Sequence, residues 1–371
     1  MPALTKAQKK QAQAAEDSFN RTYSAQFGDE RWQQSLYPAL TAPTRYAALV
    51  NCFAVPDIDR VFSPEQVAKL QAVIFPGTEE PHESTALKAY QWDVSEAEAT
   101  FPPPQPDSSS SLMTHWNLDA ASLLAVNMLD PKPGDKILDL CAAPGGKSVA
   151  ISQFLRPDTY NSASATLGGG CLHSNEVNTG RNKRLASNLQ AYLPDAFFKA
   201  GEVKVLKVDG TDPFSAQTLP LGPGGYDKVL LDAPCSSERH VVHAHVKARQ
   251  GGRAADEMAS WRSRKMAKTQ AALLLTALKA VRVGGRVLYA TCSLSNDENN
   301  GVVEKGVELV RKERKKLGVK WDFVVRSGDL AASGLADWAE QTKYGWLVLP
   351  DHPSGGKWGP LFLALLEKVE A

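Results

Sequence analysis

The run Lys136-Ile-Leu-Asp-Leu-Cys-Ala-Ala-Pro-Gly-Gly-Lys147-Ser148 restricts the possible folds of this chain more than any other segment. It opens as a short apolar strand, passes through a turn of small residues from Cys141 to Gly146, and continues into a helix-patterned stretch. A strand leading through such a turn into a helix begins a βαβ unit, and ligands of a doubly wound sheet sit at the carboxyl ends of its strands. Gly145 and Gly146 fit a backbone that lets a ligand approach closely. The ending Gly146-Lys147-Ser148 also suggests a phosphate-binding P-loop, but that motif needs glycine five positions before Gly146, where Cys141 stands.

From about residue 119 onward, short apolar runs alternate with helical patterns. Strands are expected at Lys136–Leu140, Cys171–Asn175, Val203–Val208, Lys228–Asp232 and Arg286–Thr291, with helices near 146–155, 181–192, 262–282 and 297–314. That order implies an α/β fold with a doubly wound, mostly parallel sheet. Gly345–Leu349 and Pro360–Leu366 read as two further strands able to pair antiparallel at the sheet edge, and 157–170 and 217–226 as surface insertions. Upstream, Ser63-Pro64-Glu65-Gln66 combines an N-cap, a first-turn proline and a capping-box glutamine, so residues 17–77 read as a small helical N-terminal module. Residues 78–111, ending in Phe101-Pro-Pro-Pro-Gln-Pro-Asp-Ser-Ser-Ser-Ser111, read as a polar loop or linker, and residues 112–371 as the α/β domain.

A chain of 371 residues with 43% apolar and 22% charged residues suits a water-soluble protein with one large domain and a smaller module. Its formal charge of +1 leaves any nucleic-acid contact to local clustering. The five cysteines (Cys52, Cys141, Cys171, Cys235, Cys292) are scattered and lack CxxC spacing, which speaks against a disulfide framework or zinc site and for a reducing compartment. No apolar run is long enough for a membrane helix or a secretory signal, so an intracellular protein is expected. Residues 1–16 form a basic tail with Lys6-Ala-Gln-Lys-Lys10; without arginine it only weakly resembles a mitochondrial transit peptide, leaving mitochondrion and cytoplasm open.

Candidate site residues fall at the ends of the expected strands. Glu176, just past the second, stands where a ribose-binding carboxylate is expected, and Asp209 lies just past the third; each could instead cap a following turn. Arg181 is placed to pair with Glu176 or to face solvent. Leu230-Leu-Asp232-Ala-Pro-Cys235-Ser-Ser and Tyr289-Ala-Thr-Cys292-Ser-Leu-Ser bring two cysteines to the same cleft, where Lys147 or helix N-terminal amides can favour a thiolate. Isolated cysteines are more often small buried hydrophobes, which is the reading for Cys52 and Cys171.

Asp-Leu-Cys-Ala-Ala-Pro-Gly-Gly-Lys147, Asp232-Ala-Pro-Cys-Ser-Ser and Ala290-Thr-Cys-Ser-Leu-Ser, in this order, resemble the Sun-domain family of RNA 5-cytosine methyltransferases. The resemblance covers about Asp119 to the end. Ser24-Ala-Gln-Phe-Gly-Asp29, Tyr46-Ala-Ala-Leu-Val-Asn51, Trp346-Leu-Val-Leu-Pro350 and Trp358-Gly-Pro360 also look like the branch that includes the mitochondrial ribosomal-RNA enzyme. It implies a Rossmann-like class I methyltransferase fold and S-adenosylmethionine bound by Cys141, Ala142, Ala143, Pro144, Gly145, Gly146, Lys147, Glu176, Arg181, Asp209, Gly210 and Asp232. It also implies catalysis by Cys292 with help from Cys235; the sequence alone leaves the two cysteines interchangeable. Glu176 departs from the family's usual aspartate, and Glu298-Asn-Asn-Gly301 from its commoner Glu-Asn-Glu run.

The implied chemistry explains the residue types. Carbon 5 of cytosine is too electron-poor to take a methyl group unaided, and a thiolate adding at carbon 6 pushes electrons onto it. Asp232 is suited to the cytosine's pairing edge, and Cys235 to the later elimination. Between Arg239 and Lys268 eight lysines or arginines stand against two acids. That excess suits a phosphate backbone through Arg239, Lys247, Arg249, Arg253 and Arg264, with a solvated charged face as the alternative. His240, His243 and His245 lack a completing ligand, so no metal is expected. The expected partner is a single-stranded or flipped-out stretch of rRNA, or secondarily tRNA, with room for a targeting protein. The rival readings are a methyltransferase acting on another substrate and a non-catalytic RNA-binding assembly factor.

Overall fold

The computed structural model describes residues 6–55, 57–76, 87–93, 100–156, 166–250, 258, 266–328 and 334–371. The first helix, α1 (Lys6–Phe27), is followed by short helical turns at Asp29–Arg31, Trp32–Leu36 and Tyr37–Thr41. Four strands then make a small antiparallel sheet: β1 (Tyr46–Val50), β2 (Leu70–Ala72), β3 (Ala89–Trp92) and β4 (His115–Asp119), in the order β2-β3-β1-β4. The capping box at Ser63 forms with both reciprocal bonds, yet the helix it starts spans only Pro64–Val67.

These elements differ from the sequence expectation in three ways. Residues 6–16 of the expected tail form the first half of α1; the region 17–77 carries two strands; and β3 lies inside the expected linker. The reason is visible in β1, where Ala47, Ala48, Leu49 and Val50 are all buried, so both faces are covered and no polar alternation marks the strand. Nor is the N-terminal region a separate core. Phe19 and Tyr23 of α1 and Trp32 pack in one cluster with Val242, Leu294 and Phe362 of the large domain. Each such fully buried side chain contributes about 1.5–3 kcal/mol by leaving water.

The large domain continues with α2 (Ala120–Leu129), β5 (Lys136–Asp139), α3 (Gly146–Leu155), β6 (Cys171–Asn175), α4 (Thr179–Tyr192), β7 (Val203–Leu206) and β8 (Tyr226–Asp232). Then come α5 (Glu238–Gln250), α6 (Ala267–Ala280), β9 (Val281–Thr291), α7 (Asn300–Leu317), β10 (Trp321–Val325), β11 (Glu340–Gln341), β12 (Trp346–Val348) and β13 (Leu361–Glu370). Periodicity does not reveal α2 because every residue but Ser122 and Asn127 is buried, leaving no polar stripe. The strands run β11-β12-β13-β9-β8-β5-β6-β7, with β10 also on β13. Neighbours from β9 to β7 are parallel; β13 joins β9 antiparallel, and β12 joins β13 the same way. The two C-terminal strands are thus antiparallel as expected, with β13 longer and further inside the sheet.

Helices cover both faces. Leu123, Val149 and Leu185 of α2, α3 and α4 lie in one apolar cluster, and Val241, Leu274 and Val303 of α5, α6 and α7 in the other. The strand order turns back at β5, which has β6 on one side and β8 on the other. Such a switch point opens a crevice at the carboxyl ends of the strands, here between the Cys141–Gly145 turn and the Asp232–Ser237 loop.

Candidate active site

Asn175 fastens that crevice at the end of β6. Its side-chain amide donates to the carbonyls of Leu140 and Val208, both at 3.0 Å, and its Oδ1 accepts from Val208 N–H at 2.7 Å. Beyond it, Glu176 is 5% exposed, accepts from Asn178 N–H at 2.8 Å and faces Arg181 Nε at 3.3 Å. Arg181 also donates to the Ala143 carbonyl at 2.9 Å, so it ties the ends of β6 and β5 together. Asp209 does cap a turn: its Oδ1 accepts from the Thr211 hydroxyl and N–H, which hold its pKa below the usual value. These groups line a cleft of about 430 Å³ that runs past Leu140, Val208 and Leu273 to Asp232, Cys235 and Cys292.

A second cavity of about 350 Å³ meets the first at Asp232, Ser237 and Cys292, and carries Lys147, Arg239, His240 and His243. A third, of about 250 Å³, lies between Tyr46, Trp116 and Asn117 on the outside and Asp139 and Ala142 within. The twelve residues expected around the methyl donor therefore divide. Cys141, Ala143, Glu176, Arg181, Asp209, Gly210 and Asp232 line the first cleft, whereas Ala142, Pro144, Gly145, Gly146 and Lys147 do not. Lys147 Nζ instead donates to Asp232 Oδ2 at 2.6 Å and to Ser122 Oγ at 3.0 Å. Burial depresses the Lys147 pKa, but Asp232 outweighs it and the net shift is upward, so the lysine stays charged.

The glycines also have reasons within the protein itself, independent of any ligand. A Cβ on Gly146 would stand 2.8 Å from Trp116 Nε1, and one on Gly210 2.7 Å from Leu273 Cδ2. Gly145, at φ +121°, takes a backbone shape that strains side-chain-bearing residues.

Cys235 Sγ and Cys292 Sγ lie 2.9 Å apart, and Ser237 Oγ is 2.8 Å from Cys292 Sγ. The hydrogen bond from Cys235 lowers the Cys292 pKa against the opposing effect of burial, with Ser237 adding to the lowering. The same bond, and burial, push Cys235 well up, so of the two thiols Cys292 is the one that ionises more readily. By contrast, burial chiefly raises Cys52, Cys141 and Cys171, with the nearby carboxylates of Asp139, Asp232 and Glu176 adding to it at Cys141, as suits inert thiols.

A buried polar frame holds both thiol loops. Glu238 accepts from Tyr23 OH at 2.7 Å, Leu294 N–H at 2.9 Å, Ser293 Oγ at 3.2 Å and the Ser236 hydroxyl. Glu298 accepts from Ser236 N–H at 3.1 Å and Gln270 at 2.8 Å; burial raises its pKa. Asn299 donates to the Ser293 carbonyl at 2.9 Å and accepts from Thr291 Oγ1 at 2.6 Å. Sequence reasoning missed Ser237, Glu238 and Asn175 altogether. Glu298 and Asn299 were noticed only as a departure from a pattern, although acids so near both cysteines were a usable signal.

Of the expected RNA-contacting residues, the three described ones, Arg239, Lys247 and Arg249, all lie on α5. Arg239 is 8% exposed and donates to the carbonyls of Gly359, Ala42 and Pro43, so its guanidinium fastens three backbone segments instead of standing open to phosphate. Lys247 and Arg249 are exposed on α5, and Arg249 pairs with Glu16 at 3.0 Å. Arg253 and Arg264 lie outside the described residues, as does 157–165 of the expected insertion. His243 contacts the Ala42 carbonyl and His245 faces Glu16. Among the described residues no group of histidine, cysteine and acidic side chains is arranged to hold a metal, and no helix is long and apolar enough to cross a membrane.

Comparison with known proteins places this geometry in context. Residues 126–323 match the model of the 16S rRNA methyltransferase RsmB/F family. A mitochondrial tRNA (cytosine(34)-C(5))-methyltransferase of Danio rerio is 31% identical, over 99% of this chain and 90% of its own length. The 5-cytosine rRNA methyltransferase NSUN4 of Bos taurus is 34% identical, over 79% of this chain and 73% of its own. The crystal structure of NSun6 from Pyrococcus horikoshii with SFG shares the fold at a TM-score of 0.57 and 18% identity, covering 95% of this chain and 98% of that one.

Proposed function

Since the chain belongs to the RsmB/F family of S-adenosylmethionine-dependent RNA 5-cytosine methyltransferases, we propose that it methylates carbon 5 of an unpaired cytosine in rRNA or tRNA, with Cys292 as the nucleophile. The observation that carries this reading is the position of Cys292 at the junction of two cavities, with its thiolate favoured by Cys235. The first cleft suits S-adenosylmethionine. It offers carboxylates at two successive strand ends for hydroxyls and amines, apolar walls for a base, and the Asp232 carboxylate near the thiols for a cationic sulfonium. Bound there, that molecule supplies a methyl group on a positively charged sulfur.

The cytosine enters the second cavity. Cys292 thiolate forms a bond to carbon 6, and the electron pair of the 5,6 double bond moves toward carbon 5, which becomes nucleophilic. Asp232 hydrogen-bonds the pairing edge of the ring, and Lys147 orients Asp232. Once the Cys292 sulfur is bonded to carbon it no longer carries charge, so the main cause that raised Cys235 disappears. Once carbon 5 carries the methyl group, with the donor sulfur keeping the electron pair of the broken bond, Cys235 releases its own proton to solvent and takes the proton from carbon 5 as the bond to Cys292 breaks, restoring the aromatic ring and the thiolate.

The relatives' names include both tRNA and rRNA substrates. We favour rRNA because the motifs resemble the rRNA branch, with tRNA second; the mitochondrial name supports an organellar address. Unmodified small-subunit rRNA and tRNA transcripts, incubated with the purified chain and S-adenosylmethionine, should acquire 5-methylcytosine at a defined position in one of them. Base-resolution mapping reads the result, and RNA left unmethylated by active, cofactor-binding protein would contradict the reading.

A further inference from the structure

The chemistry proposed above uses two cavities and leaves the third without a role. Its outer wall is Tyr46, the first residue of β1, which also lines the cytosine cavity. Tyr46 is 48% exposed, and among the described residues no other ring stacks on it. Its backbone is nevertheless rigidly held. Tyr46 pairs with Asp119 across β1 and β4; Asp119 caps α2 through Ala121 N–H at 2.9 Å and accepts from Gly359 N–H at 3.0 Å. Trp116, whose indole packs against Tyr192 and above Gly146, also lines this cavity.

An open aromatic face on a fixed strand, at the wall of the cavity that also holds Cys292 and Asp232, has the makings of a single-stranded nucleic-acid site. Exposed rings hold bases by stacking. We infer that Tyr46 is the stacking platform for the nucleotide adjacent to the target cytosine. It thereby holds the strand in the splayed form that lets the cytosine enter its own cavity. The inference rests on the RNA-methyltransferase reading. At about 250 Å³ the third cavity is smaller than a typical drug-sized ligand site, as a single base requires. Its inner end, at Asp139 and Cys141, borders the cofactor cleft, so the methyl donor is the rival occupant.

The test compares Tyr46→Ala, Tyr46→Phe and the unaltered chain on the same rRNA and tRNA transcripts. It records KM and kcat for methylation, RNA binding by fluorescence anisotropy, and S-adenosylhomocysteine binding by calorimetry. Loss of one base-stacking contact should raise KM and the RNA dissociation constant by about 5- to 100-fold in Tyr46→Ala. Tyr46→Phe, which keeps the ring, should restore both, and S-adenosylhomocysteine affinity should be the same in all three. An unchanged KM in Tyr46→Ala, a phenylalanine variant as impaired as alanine, or weakened S-adenosylhomocysteine binding would overturn the platform. If the unaltered chain binds these RNAs in a Tyr46-dependent way but never methylates them, the platform stands and the catalytic reading falls. Methylation with a Tyr46-independent KM has the opposite meaning.

Discussion

Cys292 and Cys235 are the same residue type in similar strand-end loops, and only their surroundings distinguish them. Cys292 reaches both cavities and receives hydrogen bonds from Cys235 and Ser237, whereas Cys235 lines the first cleft alone. This has a pH consequence. The thiolate is the attacking form, so single-turnover methylation should be present above the Cys292 pKa and lost as pH falls through it. Because that pKa is lowered, the acid limb of the rate profile should lie below that of an ordinary thiol. Cys235→Ala removes the main cause of the lowering and should move the limb to higher pH; an unmoved limb would mean that the proton lost belongs elsewhere. Glu176 gives a second expectation at this scale. Glu176→Gln removes charged hydrogen bonds to a ribose at little change in volume, and should weaken S-adenosylhomocysteine binding roughly 10- to 100-fold by calorimetry. Unchanged affinity would remove Glu176 from the cofactor site.

Among the elements, the α/β core was legible because each strand–turn–helix unit carries its own local signal: β6 and α3 match the sequence expectation residue for residue. What escaped was decided by tertiary packing. The β1 strand and α2 are covered on nearly all sides and lose the polar alternation that periodicity needs. The β5–α3 turn shows the same limit at finer grain: its glycines were noticed, but the partner that requires Gly146 to be glycine is Trp116, thirty positions away in the sequence. Gly146→Ala forces a methyl group into that indole and should lower stability by about 1–3 kcal/mol in denaturant unfolding. Full stability with weakened cofactor binding would instead restore the ligand-approach explanation.

For the whole molecule, the N-terminal helices and the small sheet complete the catalytic domain. Tyr23 reaches Glu238 in the frame beneath the thiols, Gln26 donates to the Leu294 carbonyl at 2.6 Å, and Arg31 pairs with Asp351 at 2.9 Å. None of these contacts was readable from sequence, since each joins residues more than two hundred positions apart. The strand ends that carry the cysteines and acids were readable, because a parallel sheet gathers them by topology alone. The central claim is that this assembly attacks cytosine through Cys292 and releases it through Cys235. Its most direct measurement is a denaturing gel of the unaltered chain, Cys235→Ala, Cys292→Ala and the double variant, each incubated with the methylatable transcript and S-adenosylmethionine. The expected result is a protein–RNA adduct that accumulates only in Cys235→Ala, depends on S-adenosylmethionine and is lost in the double variant. An adduct accumulating in Cys292→Ala would contradict the assignment and make Cys235 the nucleophile.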